Sequence, residues 1–270
     1  MNWNEIEKVI QNIVFEIKET CIIQNTAIRD NIFGILEDRC TVIYYPLENE
    51  KNRGFHIKRI VKDKLEDFVY INTSKPIAEQ IFTAAHEFGH IFEVAKKVWE
   101  RMGYEGIPTE DQEEEITNRF AAELLMPTEA FRKAFFSHMK EVGIKSGQVK
   151  LDELVRVLVM QMNVFMVPYQ SVRKRLVETK LMQPSAEEFL ISKEPELLHF
   201  VAILTKDQNT YLENGTSIKT ISGVRLLIED AEKQNSIDSY LIKKLKKDLD
   251  IVDMPIAEIC EIHIEEDADE

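Results

Sequence analysis

The sequence predicts an α+β fold, mainly helical, with one small β-sheet, a helix-turn-helix-like segment behind it and a C-terminal appendage. Three observations carry this. Apolar residues recur at helical spacing along most of the chain, and three short runs between residues 41 and 72 are instead rich in β-branched and aromatic residues. Clusters of Gly, Pro and polar residues separate the segments. At 270 residues and 44% hydrophobic content, the chain can bury one main domain plus an appendage. The expected divisions are 1–145, 146–185 and 186–270.

Residues 3–19 carry a helical stripe of Trp3, Ile6, Val9, Ile10, Ile13, Val14 and Ile17, and residues 26–37 repeat the type with Ile28, Ile32 and Ile35. Strands are expected at Thr41 to Tyr45, Gly54 to Ile60 and Asp67 to Asn72. The last of these leads directly into a helix, so its edge is the expected place for an extended peptide to add by backbone pairing. His56 reads as a sheet residue.

That helix is the centre of the chain. Ser74 and Pro76 supply its start signals and Gly103 its stop, while Ile77, Ile81, Ala84, Phe88, Ile91, Ala95 and Val98 mark its buried face. On it stand His86, Glu87 and His90, the pattern H-E-x-x-H. Residues i and i+4 of a helix lie about 40° apart, so both imidazoles leave one face and can hold one metal ion. Glu87 lies about 100° away, placed to reach a metal-bound water as general base.

The third ligand must come from elsewhere. Glu93 and Lys96 occupy the glycine and histidine positions of the metzincin continuation, which excludes that class. A gluzincin takes a glutamate from a later helix, and Gln112 to Met126, ended by Pro127, reads as that helix. Within Glu113-Glu114-Glu115, Glu114 pairs at i, i+4 with Asn118, whose amide can hydrogen-bond a neighbouring ligand. Glu114 is therefore the expected ligand, with Glu115 the nearest alternative. Tyr104, His138, Tyr169 and Arg173 are candidates by type for stabilising an oxyanion.

The pattern H-E-F-G-H followed by E-E-I-T-N-R-F-A-A-E-L-L-M-P resembles the ImmA/IrrE metallopeptidases, whose signature is H-E-x-G-H and then E-x-x-A-N-x-F-A-x-x-L-L-x-P. Thr117 replaces the usual alanine. The resemblance is dense over about residues 40–130 and loose over 150–182. It implies a zincin-like minimal metallopeptidase domain with one Zn²⁺ per chain. It also implies a narrow substrate, a helix-turn-helix repressor of the phage type cut once to release a mobile element or stress genes. Low activity on generic peptides, and regulation by a partner or metal supply, go with it. The competing reading is a non-proteolytic binding module that uses the same fold to sequester a regulator or toxin.

Tyr104 to Gln112 reads as a solvated acidic loop, and residues 128–142 as an amphipathic helix broken at Gly143 to Gly147. Leu151 to Met162 and Pro168 to Lys180 resemble a helix-turn-helix with a basic second helix. The net charge of −14 counts against direct DNA binding, so the pair is expected to pack on the preceding domain. Beyond it, His199 to Thr205 suits a strand or a helix, 222–233 and 236–250 suit helices, and 265–270 form an acidic tail. Cys21, Cys40 and Cys260 are odd in number and widely spaced, as reduced thiols are. With no secretory signal and no apolar run of membrane-spanning length, the expected location is the cytoplasm.

Overall fold

The computed structural model describes residues 2–49, 51–61, 63–145, 149–206, 212, 214–249 and 251. The chain divides into two compact units, Met1–Ser222 and Gly223–Glu270.

The opening stripe folds as α1 (Trp3–Thr20), which buries Ile6, Ile10, Ile13, Val14 and Ile17. The next helix, α2 (Asn31–Glu37), is shorter than expected, because residues 26–30 form bends and a turn with Arg29 at φ 54°.

Three strands follow: β1 (Thr41–Tyr45), β2 (Gly54–Val61) and β3 (Lys64–Asn72). β2 and β3 form an antiparallel hairpin with Val61 opposite Lys64, and β1 runs parallel to β3 with Thr41 opposite Phe68. A fourth strand, β4 (Thr220–Ile221), pairs antiparallel with β1, giving the order β2-β3-β1-β4. The expectation of a free edge on the strand before the helix is thus corrected. The tight hairpin folds β2 back over β3, so β3 is bonded on both sides and β2 is the edge.

The corner between β3 and the next helix is locked by Asn72, which is fully buried. Its side-chain oxygen accepts from the amides of Leu47 and Ser74 and from the Ser74 hydroxyl, while its amide nitrogen donates to the carbonyls of Leu47 and Asn52. A buried amide satisfied this fully holds one geometry. The returning chain adds a strap: Thr73 Oγ1 donates to the Ile218 carbonyl, and Ser217 N donates to that of Thr73.

α3 (Ile77–Ile91) then buries Ala78, Ile81, Ala84, Ala85 and Phe88. It does not run on to Gly103 as the spacing predicts. Glu93 adopts a left-handed φ of 50°, its amide bonds the His90 carbonyl, and α4 (Val94–Arg101) restarts in a new direction. The Glu93 carboxylate sits between Lys58 at 3.4 Å and Lys96 at 3.7 Å. No glycine or proline marks this break, so the sequence carries no signal for it. Gly103, at φ 68°, does end α4.

α5 (Glu110–Leu125) starts earlier than expected, absorbing the end of the acidic loop. A reciprocal capping box explains this: Thr109 N donates to Gln112 Oε1, and Gln112 N donates to Thr109 Oγ1. Pro127 steers Met126 out of helical geometry, and α6 (Thr128–Val142) follows, ended by Gly143 at φ 84°.

The helix-turn-helix-like pair is α7 (Leu151–Phe165) and α8 (Tyr169–Glu178), with α7 extending three residues past the expected Met162. Arg173 and Arg175 of α8 are buried. Arg173 donates to Glu187 at 2.6 Å, and Arg175 is clasped by Glu123 and Glu178. This part of the basic face is spent inside the protein, which is how a packing pair differs from a DNA-reading one. α9 (Pro184–Ser192) and α10 (Glu194–Lys206) complete the first unit, and residues 199–205 are helical.

The second unit holds α11 (Val224–Lys233) and α12 (Ser239–Asp248), which Asp238 caps by accepting from Tyr240 N. Gly147, Asp250, Cys260 and the acidic tail lie outside the described residues. Among the described residues, Cys21 and Cys40 are free thiols and no helix is long and apolar enough to cross a membrane.

Candidate metal centre

Two helices build the site. α3 presents His86, Glu87 and His90, and α5 presents Glu113, Glu114 and Asn118 across a very close packing. Gly89 permits that closeness. A Cβ there would stand 2.8 Å from Thr117 Cγ2 and 2.9 Å from Phe120 Cδ1, both on α5. The glycine of H-E-F-G-H is therefore a contact requirement between the two helices that carry the candidate ligands.

His86 Nε2 and His90 Nε2 lie 3.0 Å apart, and the Glu114 carboxylate oxygens lie 3.3 Å from the first and 3.4 Å from the second. Candidate ligand atoms of these three residues all fall within 4.8 Å of one another. A tetrahedral zinc with bonds of about 2.0–2.1 Å separates its ligand atoms by roughly 3.3–3.4 Å. The two histidine–carboxylate separations, which end on different Glu114 oxygens, match that edge length and the His86–His90 separation is shorter by about 0.3 Å; two neutral imidazoles plus one carboxylate are a donor set that suits a catalytic zinc.

The surroundings orient the candidate ligands. Asn118 Oδ1 lies 3.1 Å from His86 Nδ1, so it accepts that proton and leaves Nε2 free to coordinate. Glu113, to which the sequence assigned no partner, faces His90 Nδ1 at 3.4 Å and can do the same for the second ring. Glu115 turns away and pairs with Arg119 at 2.7 Å. Glu114 is thus the member of the acidic triplet that meets both Nε2 atoms.

Glu87 is 6% exposed. Burial pushes its carboxyl up to about 7, with His86 opposing and Glu114 adding to the rise. His86 is raised despite the opposing effect of burial, because Glu114, Glu87 and Asn118 together outweigh it. Burial and the neighbouring His86 lower His90, and the His86 hydrogen bond lowers Glu114. A Cβ on Gly54 would lie 3.7 Å from Glu87 Oε1 and clash with Thr83 Cγ2 at 2.5 Å, so the start of β2 lies directly beside the carboxylate.

A cavity of about 430 Å³ runs along this edge, walled by His56 and Lys58 of β2, by His90, Glu93, Lys96 and Glu113, and by Ile107 and Pro108. His56 is held by Asp67 at 2.6 Å, as a sheet residue. Of the four oxyanion candidates, Tyr104 packs edge-on against Trp99, His138 lies on α6, Tyr169 opens α8 and Arg173 is tied to Glu187. Among the described residues none of them has a hydrogen bond or ion pair to His86, Glu87, His90 or Glu114. Gly54, Gly89 and Glu113 were missed as site-shaping residues. Only Gly89, inside the motif, carried a signal that could have found it.

The family described as IrrE N-terminal-like domain, Peptidase_M78, matches residues 38–177, which include α3 and α5. No curated protein matches the chain. A solved structure titled Mycobacterium tuberculosis transcriptional regulator is similar at 12% identity with a TM-score of 0.42, over 66% of this chain and 52% of that one. The chain therefore spans about half the length of that regulator.

Proposed function

Because the chain belongs to the IrrE N-terminal-like peptidase family, we propose that it is a zinc-dependent endopeptidase making a site-specific cut in a helix-turn-helix repressor. The observation that supports this most is the cluster of His86, His90 and Glu114, whose nearest nitrogen and oxygen atoms lie 3.0–3.4 Å apart, with Glu87 buried beside it and adjoining an open sheet edge. The repressor as substrate rests on the family resemblance of the sequence.

His86 Nε2, His90 Nε2 and the Glu114 carboxylate are the groups that would hold zinc. When bound, zinc would supply Lewis acidity toward a carbonyl and would acidify a water. Asn118 and Glu113 keep each ring in the tautomer with a free Nε2. The peptide adds to β2 as a further strand, so backbone hydrogen bonds set its register along the cavity. Glu87 then takes a proton from the attacking water and returns it to the leaving amine. Its burial beside Gly54 excludes bulk water from that transfer.

The test uses Glu87→Gln, which keeps all three metal-holding groups and removes the base. Zinc content of about one per chain should persist while cleavage of a co-expressed repressor, encoded nearby and followed by mass spectrometry, disappears. Cleavage at the wild-type rate would sink the mechanism. A stable uncut complex formed by the unsubstituted chain would instead support the sequestering module.

A further inference from the structure

An apolar row crosses the outer face of the sheet and stops at the open edge. β2 is the outermost strand, and among the described residues no strand pairs with its free side. Its even-numbered residues face the helices: Gly54 lies against Thr83 of α3, and Lys58 reaches Glu93 just past the end of that helix. Its odd-numbered residues therefore face the other way. In register, Phe55 stands opposite Tyr70, Tyr70 opposite Ile43 and Ile43 opposite Ile221, so one row spans all four strands. A second row joins Ile57, Phe68 and Thr41. Val42, Val69 and Ile71 on the helix side are fully buried, whereas Phe55 is 44% exposed although its ring lies 5.1 Å from that of Tyr70.

The backbone of β2 sets where an added strand would sit. Asn72 N donates to the Arg53 carbonyl, which makes Arg53 and Asn72 a bonded pair of the ladder. Bonded and non-bonded pairs alternate in an antiparallel ladder, so Phe55 and Ile57 also bond inward to β3, and the amides and carbonyls of Gly54, His56 and Lys58 face outward. A peptide that bonds to those groups brings its own side chains alongside Phe55 and Ile57 on the outer face and extends both rows. The next outer place, Arg59 opposite Glu66, is polar, so the apolar stretch covers two places, two residues apart.

These places adjoin the candidate metal centre. Gly54 lies beside Glu87, and His56 and Lys58 share a cavity wall with His90.

We infer that Phe55 and Ile57 are specificity-determining residues: the outer face of β2 selects an extended peptide with two large apolar side chains, aromatic or β-branched, placed two residues apart. Phe55, the more exposed of the two, is the stronger selector. The inference rests on the peptidase reading above. A cross-strand pair of this kind is worth about a 1.4- to five-fold preference over alanine, which repeated selection compounds.

The test is selection from a phage-displayed random peptide library on the full-length, zinc-loaded E87Q chain, in parallel with E87Q/F55T and E87Q/F55E. Threonine keeps a strand-forming residue at this exposed place, and circular dichroism with zinc content matched to E87Q checks that each variant is folded. With Phe55 present, aromatic and β-branched residues should be enriched at two peptide positions two apart. F55T should weaken the enrichment at one of them, and F55E should replace it there with Lys and Arg. No paired apolar enrichment, a failure to select any peptide, as when a second copy of the chain occupies the edge, or the same enrichment at both positions with F55E overturns the inference. The selected peptide is then offered to the zinc-loaded chain with Glu87 intact. Cutting supports the peptidase reading, whereas a peptide bound but left whole sinks that reading and leaves the selection by β2 standing.

Discussion

Gly89→Ala adds one methyl group between the two helices that carry the candidate metal ligands. That methyl would meet Thr117 Cγ2 at 2.8 Å and the Phe120 ring at 2.9 Å, where ordinary contact begins at 3.4 Å. α5 must therefore give way by about 0.6 Å at the closest point. Metal–ligand distances tolerate only about ±0.2 Å, so Glu114 is carried out of reach of a zinc held by His86 and His90. Overpacking costs about 1–3 kcal/mol, and replacing a helical glycine by alanine returns about 1 kcal/mol, leaving a net loss of about 0–2 kcal/mol. Stability is the weaker readout. Zinc affinity, measured by competition with a chromophoric chelator, should fall about 10–100-fold, the range for losing a ligand-orienting partner. G89A/T117S removes one of the two clashing groups and should recover part of the loss, but not all, since the Phe120 ring remains. A G89A chain that binds zinc with unchanged affinity would refute the claim that this contact positions Glu114.

Asn118→Ala removes the acceptor on His86 Nδ1 and should weaken zinc binding by about 10–100-fold, with the thermal midpoint changing far less. Arg175→Met leaves buried Glu123 without its cation and should cost about 3–5 kcal/mol, or roughly 6–20 °C in thermal midpoint. Adding Glu123→Leu should restore most of that, because a buried pair is replaceable by apolar side chains; no restoration would argue against a charge effect. Burial pushes the Cys40 thiol up to about 12, against an ordinary value of about 8.5 for an unfolded thiol. The folded state holds the extra proton between those values, so this stabilising contribution is complete below the lower one and is lost as pH rises through the upper. Peptide mapping after iodoacetamide treatment at pH 8 should find half-buried Cys21 labelled and Cys40 protected until denaturant is added. Rapid native labelling of Cys40 would contradict its placement.

Much of the fold follows from local periodicity. The stripe of α1, the strand β1, the stop at Pro127 and the span of α6 each depend on side chains within a turn or two of one another, which is information a sequence holds directly. His86, Glu87 and His90 belong to the same class, since i, i+4 spacing on a helix places two imidazoles together whatever surrounds them. Even the choice of Glu114 had a local clue in its pairing with Asn118.

What the chain alone left open are relations between elements. Glu115 is removed from the cluster by Arg119, and Glu113 is brought to it by the angle at which α5 crosses α3. The left-handed turn at Glu93 has no glycine or proline to mark it, and its carboxylate is met by Lys58 of β2. β3 looked like an edge until β2 folded back on it, and Arg173 and Arg175 looked like a basic surface until Glu187, Glu123 and Glu178 closed over them. The sequence by itself determined which groups could bind a metal and activate water. Only the tertiary structure decided which carboxylate meets them and which sheet edge stays open. Those are set by distances between residues far apart in the chain, which no spacing within one helix or strand encodes.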